Sequence, residues 1–479
     1  MKPGPVLFVV SVTMTAMGAL MLVPAAVAWL SGGRDYGPFL YSAAITALPS
    51  VLIWVRYRQP NVNVLPRHAF LITNVVWVVA AAAGSLPIAL HEHISFTDAF
   101  FESMSGITTT GSTVLTGLDG MLPSILLWRS MLQWVGGLGF MLMAIAILPL
   151  VGVGGMRLFR SESSDWSEKA LPRTRDIAVS IALLYIALTL LCALAYALLG
   201  MSVFDAINHA MTTLSTGGYS TSDASMGKYA TPGILWTSTL FMVLGSLPFL
   251  TLLQMRRSGP VALIRDDQVS FFLIMILTTT LIGTLFLARH GEPIAQTFTV
   301  VAFNLVSTIT TTGYASTDYT LWGPFFAAAF FFLMFTGGCS GSTAGSLKAF
   351  RIQIAFKMFG TQVKKLVHPN GVFVARLNGR KVDDAITSAL VAFIFALGLT
   401  VVLVTTALSA MGLDLITALS SAATAVTNVG PGLGDIVGPA GNFAELPGAA
   451  KWLLAVAMLM GRLELLTVFV LFTRTYWRG

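Results

Sequence analysis

Apolar stretches of about 20 residues or more, the length an α-helix needs to cross a bilayer, recur along the whole chain. They lie near 5–30, 37–55, 69–90, 123–151, 177–201, 231–255, 269–288, 322–357, 385–413 and 451–473. Hydrophobic residues make up 55% of the chain and charged residues only 10%; soluble domains carry about a quarter charged. Such a chain cannot keep a water-facing surface all round, and the pattern predicts an all-α polytopic membrane protein embedded in a lipid bilayer. Ten spans place both termini on one side. The net charge of +7 is what basic loops on a cytoplasmic face produce and calls for no nucleic acid. Cys192 and Cys339 are too far apart in sequence to suggest a disulfide framework or a metal-ligand spacing. Ala26-Val27-Ala28 is a candidate signal-peptidase site, but the run 5–30 can span a bilayer and is read as a retained first helix. The charge pattern leaves cleavage open.

Basic residues orient the spans. Lys2, Arg56, Arg58, Arg67, Arg157, Arg160, Lys169, Arg173, Arg175, Arg256, Arg257 and Arg265 precede or follow alternate spans. A cluster from Lys348 to Lys381, then Arg474 and Arg478, falls on the same side. The positive-inside rule makes that side the cytoplasm, with both termini. Four shorter hydroxyl-rich segments, 95–116, 203–222, 296–317 and 414–435, then enter from outside. They are too polar to face lipid, and non-helical backbone at membrane depth survives only in protein or lining a cavity.

These four segments repeat. Gly111, Gly218, Gly313 and Gly430 align them; three residues earlier stand Thr108, Ser215, Thr310 and Thr427, and six earlier Ser105, Thr212, Ser307 and Thr424. Nine earlier stand the polar Glu102, His209, Asn304 and Ser421. Directly before the glycines come Thr109-Thr110, Thr216-Gly217, Thr311-Thr312 and Asn428-Val429. Ordinary Gly/Thr turns are the plain alternative, but four in register between spans favour a pore. Each glycine permits a backbone that turns a carbonyl inward, and rings of carbonyls from four loops can replace a cation's hydration shell. The pattern is similar to the Thr-Val-Gly core of potassium-channel filters.

The segments 108–113, 215–220, 310–316 and 428–434 resemble the four pore signatures of the Trk/Ktr/HKT superfamily. Gly337-Gly338-Cys339-Ser340-Gly341-Ser342-Thr343-Ala344-Gly345-Ser346 and Gly461-Arg462-Leu463-Glu464-Leu465 fit the same family. Two extra N-terminal spans point to its bacterial TrkH branch. The resemblance implies four pseudo-symmetric helix–pore-loop–helix repeats around one central pore, plus two N-terminal helices. The expected divisions are 1–66, then repeats at 67–165, 166–262, 263–380 and 381–479. It implies potassium as the transported ion with no organic cofactor, a homodimer in the bacterial inner membrane, and a TrkA-like cytosolic nucleotide-binding ring. Some relatives carry Ser at the first filter glycine and pass sodium; Gly111 favours potassium. Asn428 and Val429 depart from the threonine pattern, as family members do.

The eighth span is interrupted by small residues at 336–346, which frees backbone to unwind and marks an ion pathway; close helix packing is the alternative. The resemblance implies an intramembrane gate loop beneath the filter, with Gly337, Gly338, Ser340, Gly341 and Gly345. Arg462 falls near the middle of the last expected span, where an unpaired charge costs about 2.5–3.5 kcal/mol on insertion scales. It is either paired with Glu464 or a carbonyl, or a fixed positive charge below the filter. Asp119, Asp223, Asp318 and Asp435 follow the loops and either concentrate cations or are solvated loop charges. Gly338-Cys339-Ser340-Gly341 also matches a short intramembrane serine-protease pattern, but no histidine falls on a later span to serve as its base. The chain is expected not to be an enzyme. Within transport, a proton- or sodium-coupled symporter needs a titrating intramembrane group, for which, beyond Arg462 and Glu464, Arg129, Glu102 and His209 are the candidates; a gated channel needs none.

Overall fold

A computed structural model describes residues 3–32, 35–57, 66–146, 170–289 and 293–478. Lys2, Arg58, Arg157, Arg160, Lys169, His290 and the end of the fourth expected span, 147–151, lie outside the described residues. Among the described residues, seven helices are long and apolar enough to cross a membrane, or nine if two bent pairs each count as one. The helices α1 (Gly4–Leu30) and α2 (Gly37–Tyr57) pack on each other and on the first repeat. That repeat is α3 (Pro66–Glu92), the short α4 (Phe96–Ile107) and α5 (Pro123–Ala146). The second is α6 (Ala170–Leu198), α7 (Val203–Leu214) and the bent pair α8 (Pro232–Ser246) and α9 (Phe249–Ser258). The third is α10 (Asp267–Ala288), α11 (Ile294–Ile309), α12 (Pro324–Leu333) and α13 (Ala349–Val367). The fourth is α14 (Asp384–Ala410), α15 (Leu415–Thr427) and the bent pair α16 (Gly448–Arg462) and α17 (Leu465–Phe469).

In every repeat a long helix packs against a short buried one, and the repeats close into a ring. Helix α5 packs on α7 of the second repeat, α8 on α11 of the third, and α16 on α4 of the first. Between the third and fourth, Phe330 and Met334 share an apolar cluster with Val429 and Leu433. The long helices leave Leu48, Leu190, Leu285 and Val402 exposed, which is stable only against lipid. The fold is thus the expected helical membrane protein of four repeats.

Three of the ten spans are not straight rods. The eighth stops at Leu333 and resumes at Ala349, with the expected break between. The sixth, expected over 231–255, bends by 101° at Leu247-Pro248. Proline has no N–H to continue the ladder, and it pushes the preceding residue out of the helical region; Leu247 has ψ 156°. The last span, expected over 451–473, bends by 113° after Arg462, where Glu464 takes φ 60°. Arg462 therefore ends a half-helix instead of sitting mid-span.

The bend also re-pairs the charges. Glu464 does not meet Arg462; its carboxylate lies 2.7 Å from Arg351 Nη2, and both are buried. Arg351, on α13, also stacks over Phe393 at 4.0 Å. This pair ties the element after the break in the eighth span to the bend of the last. Removing one partner of a buried pair strands the other charge, at a cost of about 3–5 kcal/mol. We expect Arg351→Ala to lower the thermal unfolding midpoint in detergent clearly, and an unshifted midpoint would show the pair to be dispensable.

Candidate functional site

The four short helices begin in related ways. Ser95 Oγ accepts from Asp98 N–H at 3.1 Å and Ser202 Oγ from Asp205 N–H at 3.0 Å, while each hydroxyl donates back to that aspartate at 2.7 Å. Asp414 caps α15 through Thr417 N–H at 3.1 Å, and Pro293 opens α11. These are N-cap signals, repeated with the repeats. At the other ends the chain turns back on itself. The N–H of the residue before each aligned glycine donates to the carbonyl six before that glycine: Thr110 to Ser105 at 2.8 Å, Gly217 to Thr212 at 3.0 Å, Thr312 to Ser307 at 2.8 Å and Val429 to Thr424 at 3.1 Å.

This bond sets the direction of the carbonyls. All described peptides are trans, so an N–H aimed at its own helix leaves the preceding carbonyl aimed away from it. The carbonyls of Thr109, Thr216, Thr311 and Asn428 therefore face away from the short helices. Those four residues share φ of 51° to 58°, and Gly111, Gly218, Gly313 and Gly430 have φ of 77° to 109°. Positive φ is rare for a β-branched residue, and three of the four are threonines. The glycines then close the ring. A Cβ on Gly111 would collide with the Gly217 carbonyl oxygen, one on Gly218 with that of Thr312, and one on Gly313 with that of Val429. One on Gly430 would lie 2.8 Å from the Thr110 oxygen. Each repeat's glycine thus receives the next repeat's carbonyl, and the fourth receives the first. The twelve residues expected at the filter, from Thr109 to Gly430, come together here, with Gly111, Gly218 and Gly313 half-buried where they meet the outer cavity and the rest buried.

The polar residues nine positions before the glycines staple the outer limbs of the loops. Glu102 accepts from Thr113 Oγ1, Val114 N–H and Arg129 Nε at 2.8–3.0 Å. His209 Nε2 meets Ser220 Oγ at 3.0 Å, with Nδ1 on the Asp205 carbonyl at 2.8 Å. Asn304 binds both Oγ and N–H of Ser316. The fourth, Ser421, makes no such bond; its neighbour Ser420 reaches the Leu433 carbonyl at 3.3 Å instead. Beyond the glycines a cavity opens, lined by Ser112, Tyr219, Ser222, Asp223, Pro431 and Asn442 among others. Of the mouth aspartates, Asp119 is tied to Lys228 at 2.7 Å, which holds its carboxyl below the usual range. Asp318 caps Thr320, while Asp223 and Asp435 are exposed.

On the opposite side the segment between α12 and α13 lies against the ring. Gly345 N–H donates to Thr311 Oγ1 at 2.7 Å, and Thr343 Oγ1 lies 3.3 Å from Thr216 Oγ1. Gly345 also abuts the Thr427 carbonyl and Asn428. Arg462 Nη1 donates to the Thr343 carbonyl at 2.8 Å, and its guanidinium stacks on Phe140 at 4.2 Å. Lys348 adds a second buried cation, donating to the Ala344 carbonyl at 2.5 Å with its Nζ 5.2 Å from the same ring. Gly337, Gly338, Ser340 and Gly341 lie further from the ring. This part of the segment is anchored on the bend of α8–α9, where Cys339 N–H donates to Ser246 O and Gly341 O accepts from Phe249 N–H, and on α10, where Ser340 N–H donates to Gln268 Oε1.

The family model described as "TrkH: Cation transport protein" matches residues 38–478. The chain belongs to this family. It is 48% identical over 477 residues to the Trk system potassium uptake protein TrkI of Halomonas elongata, covering 99% of this chain and 97% of that one. It is 37% identical to the Trk system potassium uptake protein TrkH of Salmonella typhimurium, covering 98% of each. The crystal structure of the potassium transporter TrkH from Vibrio parahaemolyticus superposes with a TM-score of 0.92 at 34% identity, covering both chains fully. These relatives are transport proteins and not enzymes. Ser340 has no histidine bonded to its hydroxyl among the described residues.

In this TrkH-family chain, sequence reasoning missed Thr343, Lys348 and Gln133. Thr343 was part of the small-residue run; Lys348 was counted with the cytoplasmic basic cluster, yet it is 5% exposed. Gly313→Ala would force both a collision with Val429 O and a Cβ at φ 79°. We expect that variant to lose cation flux in liposomes while still inserting as a helical protein, measured by flux and circular dichroism; wild-type flux would contradict the ring geometry.

Proposed function

We propose that this chain takes up potassium across the bacterial inner membrane, channel-like, through a filter made by its four loops. The observation that carries the reading is the closed ring of backbone carbonyls, each lodged against the glycine of the neighbouring repeat. A dehydrated potassium ion needs such oxygens in place of water. The negative ends of four short helices converge on the same place, which favours a cation. The relatives named as potassium uptake proteins support the choice of ion, as does Gly111 in the first loop.

The loop segment and Arg462 form the gate. Two buried cations, Arg462 and Lys348, lie on the inner side of the ring, while the nearby Glu464 is engaged by Arg351. Their uncompensated charge opposes cation exit until the segment moves. The working assembly is a homodimer with both termini cytoplasmic, regulated by a TrkA-like nucleotide-binding ring. A symporter is the second reading, but its candidate titrating groups are occupied: Arg129 is bonded to Glu102, and His209 to Ser220 and Asp205.

Reconstituted protein should pass potassium in preference to sodium under an imposed potential alone. A strict need for a proton or sodium gradient would favour symport. Arg462→Ala should raise potassium flux at least tenfold, since one fixed charge near an ion path is worth a few kcal/mol at intermediate dielectric. Removing 342–345 leaves the Cys339 and Gly341 anchors in place and should also raise it. Unchanged flux in both folded variants would refute this gate.

A further inference from the structure

The second filter loop departs from the others in one way that its backbone does not require. Before the aligned glycines stand Thr110, Gly217, Thr312 and Val429. Gly217 is not among the positive-φ residues, so its conformation suits a side chain. Space forbids one: a Cβ on Gly217 would lie 2.5 Å from Gln133 Oε1 and 2.9 Å from Nε2. Gln133 belongs to α5 of the first repeat and is fully buried. Its carboxamide grips the second loop at two points. Nε2 donates to the Gly217 carbonyl at 2.6 Å, and Oε1 accepts from Tyr219 N–H at 3.0 Å.

One turn away on the same face, Arg129 holds the next stretch of that loop. It donates to the Ser220 carbonyl at 3.1 Å and stacks over the Tyr219 ring at 4.2 Å. Tyr219 Oη in turn donates to the Glu102 carbonyl at 2.8 Å. Counting ten residues from the prolines that open α5, α8 and α12, Gln133 stands where Met242 and Met334 stand. Both methionines are buried and neither can donate a hydrogen bond. The carboxamide grip therefore belongs to the junction of the first and second repeats.

We propose that Gln133 is a specificity-determining positioning residue that fixes the Gly217 carbonyl within the ring. The proposal rests on the filter reading above. A carbonyl oxygen has two lone pairs, so a donor on one leaves the other for the ion while holding the oxygen's position. Released, the second strand can close on a smaller cation, and discrimination against sodium falls. Gly217 is glycine because the carboxamide occupies the place of its side chain.

The test is the sodium-to-potassium permeability ratio in liposomes for the wild type, Gln133→Met and Gly217→Ala. Methionine matches the length of glutamine and removes only its hydrogen bonds; the alanine methyl displaces the carboxamide from the other side. Each should raise the ratio about fivefold, the factor carried by roughly one net hydrogen bond. A fall in both fluxes at an unchanged ratio would reveal a merely structural role and overturn the proposal, as would wild-type ratios. Should Gln133→Met fail to fold, Gly217→Ala decides alone. A wild type that passes sodium as readily as potassium overturns the filter reading and this proposal together; a selective wild type matched by the variants overturns the proposal only.

Discussion

The backbone hydrogen bond that runs back from each loop to its own short helix governs the rest of the structure. Each short helix ends with carbonyls that need donors, and the loop's N–H groups supply them. Because the peptide is planar and trans, satisfying the helix end forces the loop's carbonyls to face away from it. Four copies around an axis then present their carbonyls to one another. The next carbonyls along, those of Thr110, Gly217, Thr312 and Val429, abut the neighbouring loop so closely that a Cβ there has no room, which is why each of the four aligned positions is glycine. The strain of positive φ at Thr109, Thr216 and Thr311 is tolerated because those bonds and the surrounding packing over-determine the loop.

Buried charge is handled differently on the two sides of that ring. On the outer side, Arg129 and Glu102 neutralise each other and brace two adjacent loops. On the inner side, Arg351 consumes Glu464, leaving Arg462 and Lys348 with carbonyls and one aromatic face. Buried charges without counterions are costly in a low-dielectric interior, and such a cost is usually found where it serves a switch. The segment they hold is made of small residues, so it can lie within bonding distance of the second and third loops at once.

Much of this was legible in the residues. The column of hydroxyls and the four glycines read correctly because every loop obeys the same local hydrogen-bond rule, and a rule repeated four times leaves a register in the sequence. The break at 336–346 was legible for the same kind of reason, a local run of residues too small to sustain a span. The bends at Leu247-Pro248 and Leu463-Glu464 were not. Proline is common in membrane helices, Pro24, Pro49 and Pro87 all lie inside unbroken ones, and only the segment packed into the bend makes it sharp. Of the two partners the sequence offered Arg462, the structure holds the carbonyl, that of Thr343, because the bend turned the Glu464 carboxylate toward Arg351 on another element.

The sequence by itself determined the membrane class, the approximate places of the apolar helices, the four loops and their alignment. These depend on local composition and on short hydrogen-bonded rings within one segment. Tertiary structure alone decided which repeat's carbonyl meets which glycine, that Lys348 lies over Phe140, and that Gln133 reaches Gly217 across a repeat boundary. Those contacts join residues dozens to hundreds of positions apart. Their existence depends on how the helices close around the axis, which no local pattern encodes.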